Sequence, residues 1–344
     1  MSIARALGSL LLLTSLLTAG CNERPADGVA RERLAWAIAI HGGAGTIPRT
    51  MEPAQAEAYQ AALTRALAIG RDRLAAGASS LDVVEQVVRD LEDDPLFNAG
   101  KGAVFTHDGT HELDASIMDG RTLACGAVAG VKTVRHPISL ARLVMDKTKH
   151  VLLAGEGADR FGREQGVELV DNTWFDTDRR RQQWQEALAK EAAPVDGGTT
   201  VAPSVSPDGG GKGTVGVVAL DQAGHLAAAT STGGMTNKRW GRVGDSPVVG
   251  AGTYANDATA AVSCTGTGEE FIRHGVARTV SSRMELLHED VERAGRGALT
   301  PLKAGDGGLI TVDRHGRIAF VFNTDGMYRG AADAAGRFEV AIWR

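Results

Sequence analysis

The sequence predicts an α+β fold in which packed β-sheets are covered by helices, and three observations carry that prediction. Strand-like apolar runs bounded by turn residues occur in groups alongside long helical patterns. The 344-residue chain is long enough to bury a large core, either as one layered domain or as two. Its composition is that of an ordinary globular protein, rich in glycine and poor in aromatic residues. A formal net charge of −5, with no basic stripe, argues against DNA or RNA as a partner.

The N-terminus is patterned differently from the rest. Arg5 leads a short positive region, and Leu7 to Leu17 form an apolar run too short to span a bilayer, which reads as a signal peptide over residues 1–20. It ends in Leu16-Leu17-Thr18-Ala19-Gly20-Cys21, which resembles a bacterial lipobox with Cys21 as the lipidated first residue of the mature chain. Thr18 stands where an aliphatic residue is usual, so the alternative is an ordinary cleaved leader and a soluble periplasmic protein. The expected location is the periplasm, on a membrane anchor through Cys21, with Asn22 pointing toward the outer membrane. Residues 21–34 are charged, lack apolar periodicity and read as a tether.

The first strand is Trp36 to Ile40, ending in His41-Gly42-Gly43-Ala44-Gly45. A helix rich in alanine and leucine follows from about Pro53 to Ala75. Another, with Ser80 as its N-cap, carries Leu81, Val84, Val87, Val88 and Leu91 on one face. Turn signals separate strands at Glu112 to Met118 and Cys125 to Val131, and Pro137 opens a helix of about ten residues. From Thr173 to Ala193 the pattern is helical and strongly polar; it passes into a Gly/Pro/Ser-rich stretch, about 194–213, that need not pack. Val215 to Leu220, the turn Asp221-Gln222-Ala223-Gly224 and residues 225–232 form a hairpin. Pairing Leu220 with His225 sets Thr214 opposite Ser231, and a turn two residues tighter sets it opposite Gly233. A strand from Thr259 to Cys264 leads into a helix from Glu269, and the last strands run Gly308 to Val312 and Ile318 to Asn323.

Thr214 is the most informative residue. It lies between a glycine-rich loop and a clean strand, where a cut at Gly213-Thr214 releases an N-terminal threonine. Such a residue carries nucleophile and base together, because a free α-amine with a pKa of about 7.7–8.0 can take the hydroxyl proton near neutral pH. Thr232 and Thr265 are candidate supporting hydroxyls, although each is also an ordinary strand threonine. Thr265-Gly266-Thr267-Gly268, before a helix, can present N–H groups to an oxyanion or a carboxylate. In Gly241-Arg242-Val243-Gly244-Asp245-Ser246-Pro247, Arg242 can clamp a carboxylate and Asp245 can accept from an ammonium, which suits an amino-acid zwitterion; a solvated surface pair is the plainer reading. Asp208-Gly209-Gly210-Gly211-Lys212-Gly213-Thr214 is not a phosphate loop, since Gly213 separates the lysine from the threonine and a strand follows. Cys125 and Cys264 read as buried thiols rather than a disulfide, and His41, His107 and His111 form no zinc motif.

Taken together, Gly213 to Asp221, Ala229 to Lys238, Gly241 to Pro247 and Ser263 to Glu269 closely resemble the plant-type L-asparaginase/isoaspartyl peptidase family. The likeness extends upstream through His41 to Gly45 and Asn98 to Gly102, and downstream to Asn323 to Arg329. It implies a four-layer αββα sandwich of the N-terminal-nucleophile hydrolase type, made as a precursor that cuts itself at Gly213-Thr214. Residues 35–213 become an α subunit with a mobile tail, residues 214–344 a β subunit, and the assembly is a dimer of such heterodimers. By the same resemblance Thr214 is the nucleophile, Thr232 orients it, Thr265 and the Gly266 N–H form the oxyanion hole, and Asn98 supports the region. Arg242 grips the substrate α-carboxylate, while Asp245 and the Gly268 carbonyl receive its ammonium. Backbone carbonyls of Leu91, Glu92, Asp94, Phe97, Ala99 and Lys101 bind a structural sodium ion, and no organic cofactor is implied. The expected substrates are L-asparagine and β-aspartyl peptides, with a glycosylasparaginase of the same superfamily, or a surface lipoprotein that binds amino acids without turning them over, as alternatives.

Overall fold

The structure is a computed structural model describing residues 33–192 and 213–344. The leader, Cys21, the tether up to residue 32 and nearly all of the glycine-rich stretch lie outside the described residues. Twenty α-helices and strands follow in the order β1 (Ala37–Gly45), α1 (Pro53–Ala75), α2 (Ser80–Asp93), β2 (Leu113–Asp119), β3 (Cys125–Val131), α3 (Pro137–Lys147), β4 (Leu152–Ala154), α4 (Gly155–Glu164), α5 (Asp178–Ala192), β5 (Val215–Leu220), β6 (Leu226–Thr232), β7 (Thr253–Ala255), β8 (Ala260–Gly266), α6 (Gly268–His274), α7 (Val276–Leu287), α8 (Val291–Leu299), β9 (Gly307–Asp313), β10 (Ile318–Phe322), β11 (Gly326–Asp333) and β12 (Phe338–Trp343).

The strands form an eight-stranded sheet in the order β12-β11-β1-β5-β6-β2-β3-β4 and a four-stranded sheet in the order β10-β9-β8-β7. Alternation along β1 divides its side chains between two cores. Ile38 and Ile40 join Leu63 and Leu67 of α1, Val84, Val87 and Val88 of α2, and Leu140 and Val144 of α3. Ala37 and Ala39 face the other way, with Val262 and Cys264 of β8, Ile310 and Val312 of β9, and Val280 and Ala294 of α7 and α8. The larger sheet is therefore apolar on both faces, which is why β5 and β6 read as unbroken buried runs.

Three sequence expectations need correction. The N-cap of α2 is Ser79, whose hydroxyl accepts from the Asp82 N–H, and Ser80 is the first helical residue. The β5–β6 register follows neither alternative: Leu220 pairs with Leu226 and Val215 with Ser231, so Thr214 comes opposite Thr232. The reason is a three-residue turn, in which the Asp221 N–H bonds the His225 carbonyl and Gly224 adopts φ +90°. The chain also does not end its strands at Asn323, since β11 and β12 extend the larger sheet beside β1. Cys125 and Cys264 are free thiols, the latter fully buried.

Candidate active site

The hairpin register does the first positioning. Residues directly opposite on adjacent antiparallel strands share a face, and the Thr214 hydroxyl donates to Thr232 Oγ1 at 3.2 Å. Thr232 Oγ1 also accepts from the Gly234 N–H at 3.0 Å, so its position is set from the following loop as well. Thr214 is 8% exposed, on a chain that runs unbroken from Gly213. Asn98 surrounds this point with main-chain and side-chain bonds. Its N–H donates to the Gly213 carbonyl at 3.1 Å, its carbonyl accepts from Gly233, its Nδ2 donates to the Gly234 carbonyl and its Oδ1 accepts from the Val104 N–H.

The residues expected to clamp an amino acid come together where β8 leads into α6. A Cβ on Gly268 would lie 2.8 Å from Arg242 Nη2 and 2.9 Å from Asp245 Oδ1, so these three residues converge on one point. Asp245 is buried, and burial pushes its carboxyl up to about 7, with the Asp245 N–H and Arg242 pulling the other way. Its Oδ2 and the buried Thr265 Oγ1 have no hydrogen-bond partner among the described residues. Unsatisfied buried polar atoms are costly, and of the seven such side-chain atoms among the described residues these two belong to residues expected to touch substrate. Glu269 was not anticipated. Its carboxylate takes Arg242 Nε and Nη2, both at 2.9 Å, which fixes the guanidinium plane. Burial opposes the charge on Arg242, yet Glu269 holds its pKa above the ordinary value.

Comparison with known proteins identifies the family. The sequence model of the family described as asparaginase matches residues 34–342. An isoaspartyl peptidase of Salmonella typhimurium is 52% identical over 319 residues, covering 89% of this chain and 98% of that protein. A probable isoaspartyl peptidase/L-asparaginase of Arabidopsis thaliana is 48% identical, covering 90% and 99%. A plant-type L-asparaginase of Pyrococcus furiosus is 43% identical, covering 85% and 94%. The chain belongs to the asparaginase family.

In this asparaginase the segment expected to bind sodium closes the C-terminal end of α2 and leads directly into Asn98. Backbone N–H groups of Asp94, Phe97 and Gly102 reach the carbonyls of Leu91, Asp94 and Ala99 only at 3.2–3.4 Å, so each of these oxygens keeps a lone pair. Among the described residues no acidic, histidine or cysteine cluster could hold a metal. A set of neutral carbonyl oxygens fits a monovalent hard cation, which is the chemistry the family resemblance implies. The Glu92 side chain has a separate task that sequence patterning did not signal. It is buried, burial pushes it up to about 8, and its Oε1 accepts from Ser231 Oγ at 2.6 Å and the Ile138 N–H at 3.1 Å. Glu92 thereby ties α2 to β6, the strand carrying Thr232. Lys101 extends its ammonium to the Trp174 carbonyl, and Asp94 caps the Leu96 N–H while pairing with Arg65.

Proposed function

We propose that this chain hydrolyses β-aspartyl peptides and L-asparagine through an N-terminal threonine, Thr214, released when the precursor cuts itself at Gly213-Thr214. The observation that carries the reading is the pairing of the Thr214 and Thr232 hydroxyls at 3.2 Å, with the preceding Gly213 carbonyl held by the Asn98 N–H. In the precursor, Thr214 Oγ1 attacks the Gly213 carbonyl carbon, its proton passes to the departing amide nitrogen, and water hydrolyses the resulting ester. The freed α-amine then serves as base. Thr214 Oγ1 attacks the substrate side-chain carbonyl while Thr265 and the Gly266 N–H carry the oxyanion. Ammonia or the peptide amine leaves with a proton, and water releases aspartate from the acyl-enzyme. Arg242 and Asp245 take the α-carboxylate and α-ammonium, with the Gly268 carbonyl as a second acceptor.

The remaining expectations complete this reading. The two sheets and the helices packed on them support a four-layer αββα sandwich as the fold, with residues 35–213 and 214–344 as α and β subunits assembling into a dimer of heterodimers. Sodium on the carbonyls of residues 91–101 rigidifies the loop that carries Asn98. The leader directs the chain to the periplasm, with Cys21 as its lipid anchor. The decisive experiment is mass analysis of purified protein together with turnover of a β-aspartyl dipeptide, L-asparagine and a glycosyl-asparagine. Two fragments are expected, the smaller beginning at Thr214, with Thr214→Ala uncut and without measurable turnover. A single uncut chain with full activity overturns the reading.

A further inference from the structure

Among the buried groups that the mechanism leaves unused, one touches Thr214 directly. His41 sits at the end of the β1–β5 ladder, whose last pair is His41 with Gly216, so β1 offers no further main-chain rung to the residues before Val215. The imidazole supplies that rung: Nδ1 lies 3.0 Å from the Thr214 carbonyl oxygen, and Nε2 lies 2.9 Å from Ser263 Oγ. The ring is fully buried. A carbonyl oxygen can only accept, so Nδ1 must carry the proton. Burial drives the imidazole down to about 3 against the pull of that carbonyl, so the ring is neutral and Nε2 accepts from the Ser263 hydroxyl.

That assignment orients a whole row of hydroxyls. Ser263 gives its proton to His41 and therefore accepts from Thr230 at 2.7 Å, and Thr230 in turn accepts from Thr253 at 2.5 Å. Ser116 lies beyond, 2.8 Å from Thr253 and 2.5 Å from the carbonyl of Ser246, the residue following Asp245. All five side chains are buried with no measurable exposure. Aligned donors polarise one another, and the row ends on the peptide plane that fixes ψ of Thr214. Gly216 independently marks the arrangement: a Cβ there would lie 2.0 Å from Ser263 Oγ and 2.3 Å from His41 Nε2. The strand lacks a side chain where the histidine and serine meet.

We infer that His41, held as the neutral Nδ1–H tautomer by Ser263, is a positioning residue that sets the direction of the Thr214 amine and hydroxyl. The inference rests on Thr214 being the nucleophile. It requires no contact with substrate, so its loss acts on kcat and on self-cleavage and not on substrate grip.

The test combines three variants with a measurement on the parent. His41→Leu and His41→Gln remove or misplace the donor; His41→Asn keeps an N–H near the Nδ1 position. Expected are a loss in kcat of about tenfold to a hundredfold and slowed self-cleavage in the first two, KM within about twofold, and substantial rescue in His41→Asn. Ser263→Ala, which frees the ring, is expected to fall between. In uniformly folded parent enzyme labelled with ¹⁵N-histidine, the His41 resonances should report a protonated Nδ1 and an unprotonated Nε2 at pH 7. A folded His41→Leu enzyme with parental kcat and cleavage, equal changes in kcat and KM, or an Nε2–H or doubly protonated ring each overturns the inference. If Thr214→Ala is itself active, the nucleophile reading has failed; if it is inactive while His41→Leu behaves as the parent, only this inference has.

Discussion

The two halves of the site are built from opposite materials. The nucleophile end consists of neutral hydroxyls and main-chain groups on β5, β6 and β8, with the Thr214–Thr232 bond resting on strand register. The clamp end consists of charges on the β6–β7 loop and the start of α6, with Arg242 locked by Glu269 and Asp245 carrying an unpartnered oxygen. Strands hold atoms to fractions of an ångström through their ladders, which suits bond-making geometry. Recognition of a zwitterion needs complementary charge, and charges are tolerated in a buried place only when paired. On the proposed function the difference makes reaction and recognition structurally separable, so damage to each should show in a different kinetic constant.

The largest effect is expected from the neutral end. Thr265→Val is close to isosteric and removes only the hydroxyl proposed to face the developing oxyanion. If Thr265 carries the oxyanion as proposed, kcat should fall by roughly 10²–10³-fold, as when one oxyanion donor is deleted, while KM for a β-aspartyl dipeptide stays nearly constant. A rise in KM as large as the fall in kcat would show that the two ends are not separable. Arg242→Lys tests the other side. Lysine is a point donor and cannot hold Glu269 bidentately while presenting a planar face to a carboxylate. KM should rise by roughly tenfold to a hundredfold, corresponding to lost uniform binding, with kcat changed much less. Steady-state kinetics of the two variants side by side is the measurement, and the signature is the crossing of effects.

Much of this was legible in the chain because chemistry-bearing residues sit beside structural punctuation. Thr214 follows a glycine-rich run and opens a strand, and the Thr265-Gly266-Thr267-Gly268 turn opens a helix, so local pattern made both candidates and the family resemblance singled them out. Arg242 and Asp245 stood out as candidates for a clamp, but Glu269 did not, because nothing in its spacing from Arg242 indicates that α6 brings the two together. The hairpin was foreseen and its register was not, since a three-residue turn with Gly224 at positive φ competes closely with its neighbours. β11 and β12 escaped because the edge strand β12 and its inner neighbour β11 lack the unbroken buried runs of β5 and β6. His41, Ser263, Thr230 and Thr253 were invisible as a group: their sequence separations are long, and buried serines and threonines look like any others until the sheets are stacked.

The smallest effect concerns Asp245, and its sign is decided by linkage. Burial raises this carboxyl from an ordinary 3.8 to about 7 in the folded protein, so the fold favours the protonated form. The stability contributed by that protonation is complete below pH 3.8 and is lost as pH rises through about 7. Substrate makes the opposite demand, because only the carboxylate can receive an ammonium. KM for a β-aspartyl dipeptide should therefore rise by about tenfold per unit as pH falls below 7, with kcat at saturation changing far less. Asp245→Asn separates the two demands: it is uncharged throughout, and it loses the substrate ammonium. Its melting temperature should exceed that of the parent by roughly a few degrees at pH 8 and by less at pH 5, while its KM is high and flat across that range. A variant less stable than the parent at pH 8 would mean that Asp245 is held as a carboxylate by Arg242 even without substrate. The charged end would then be as fully satisfied as the neutral one.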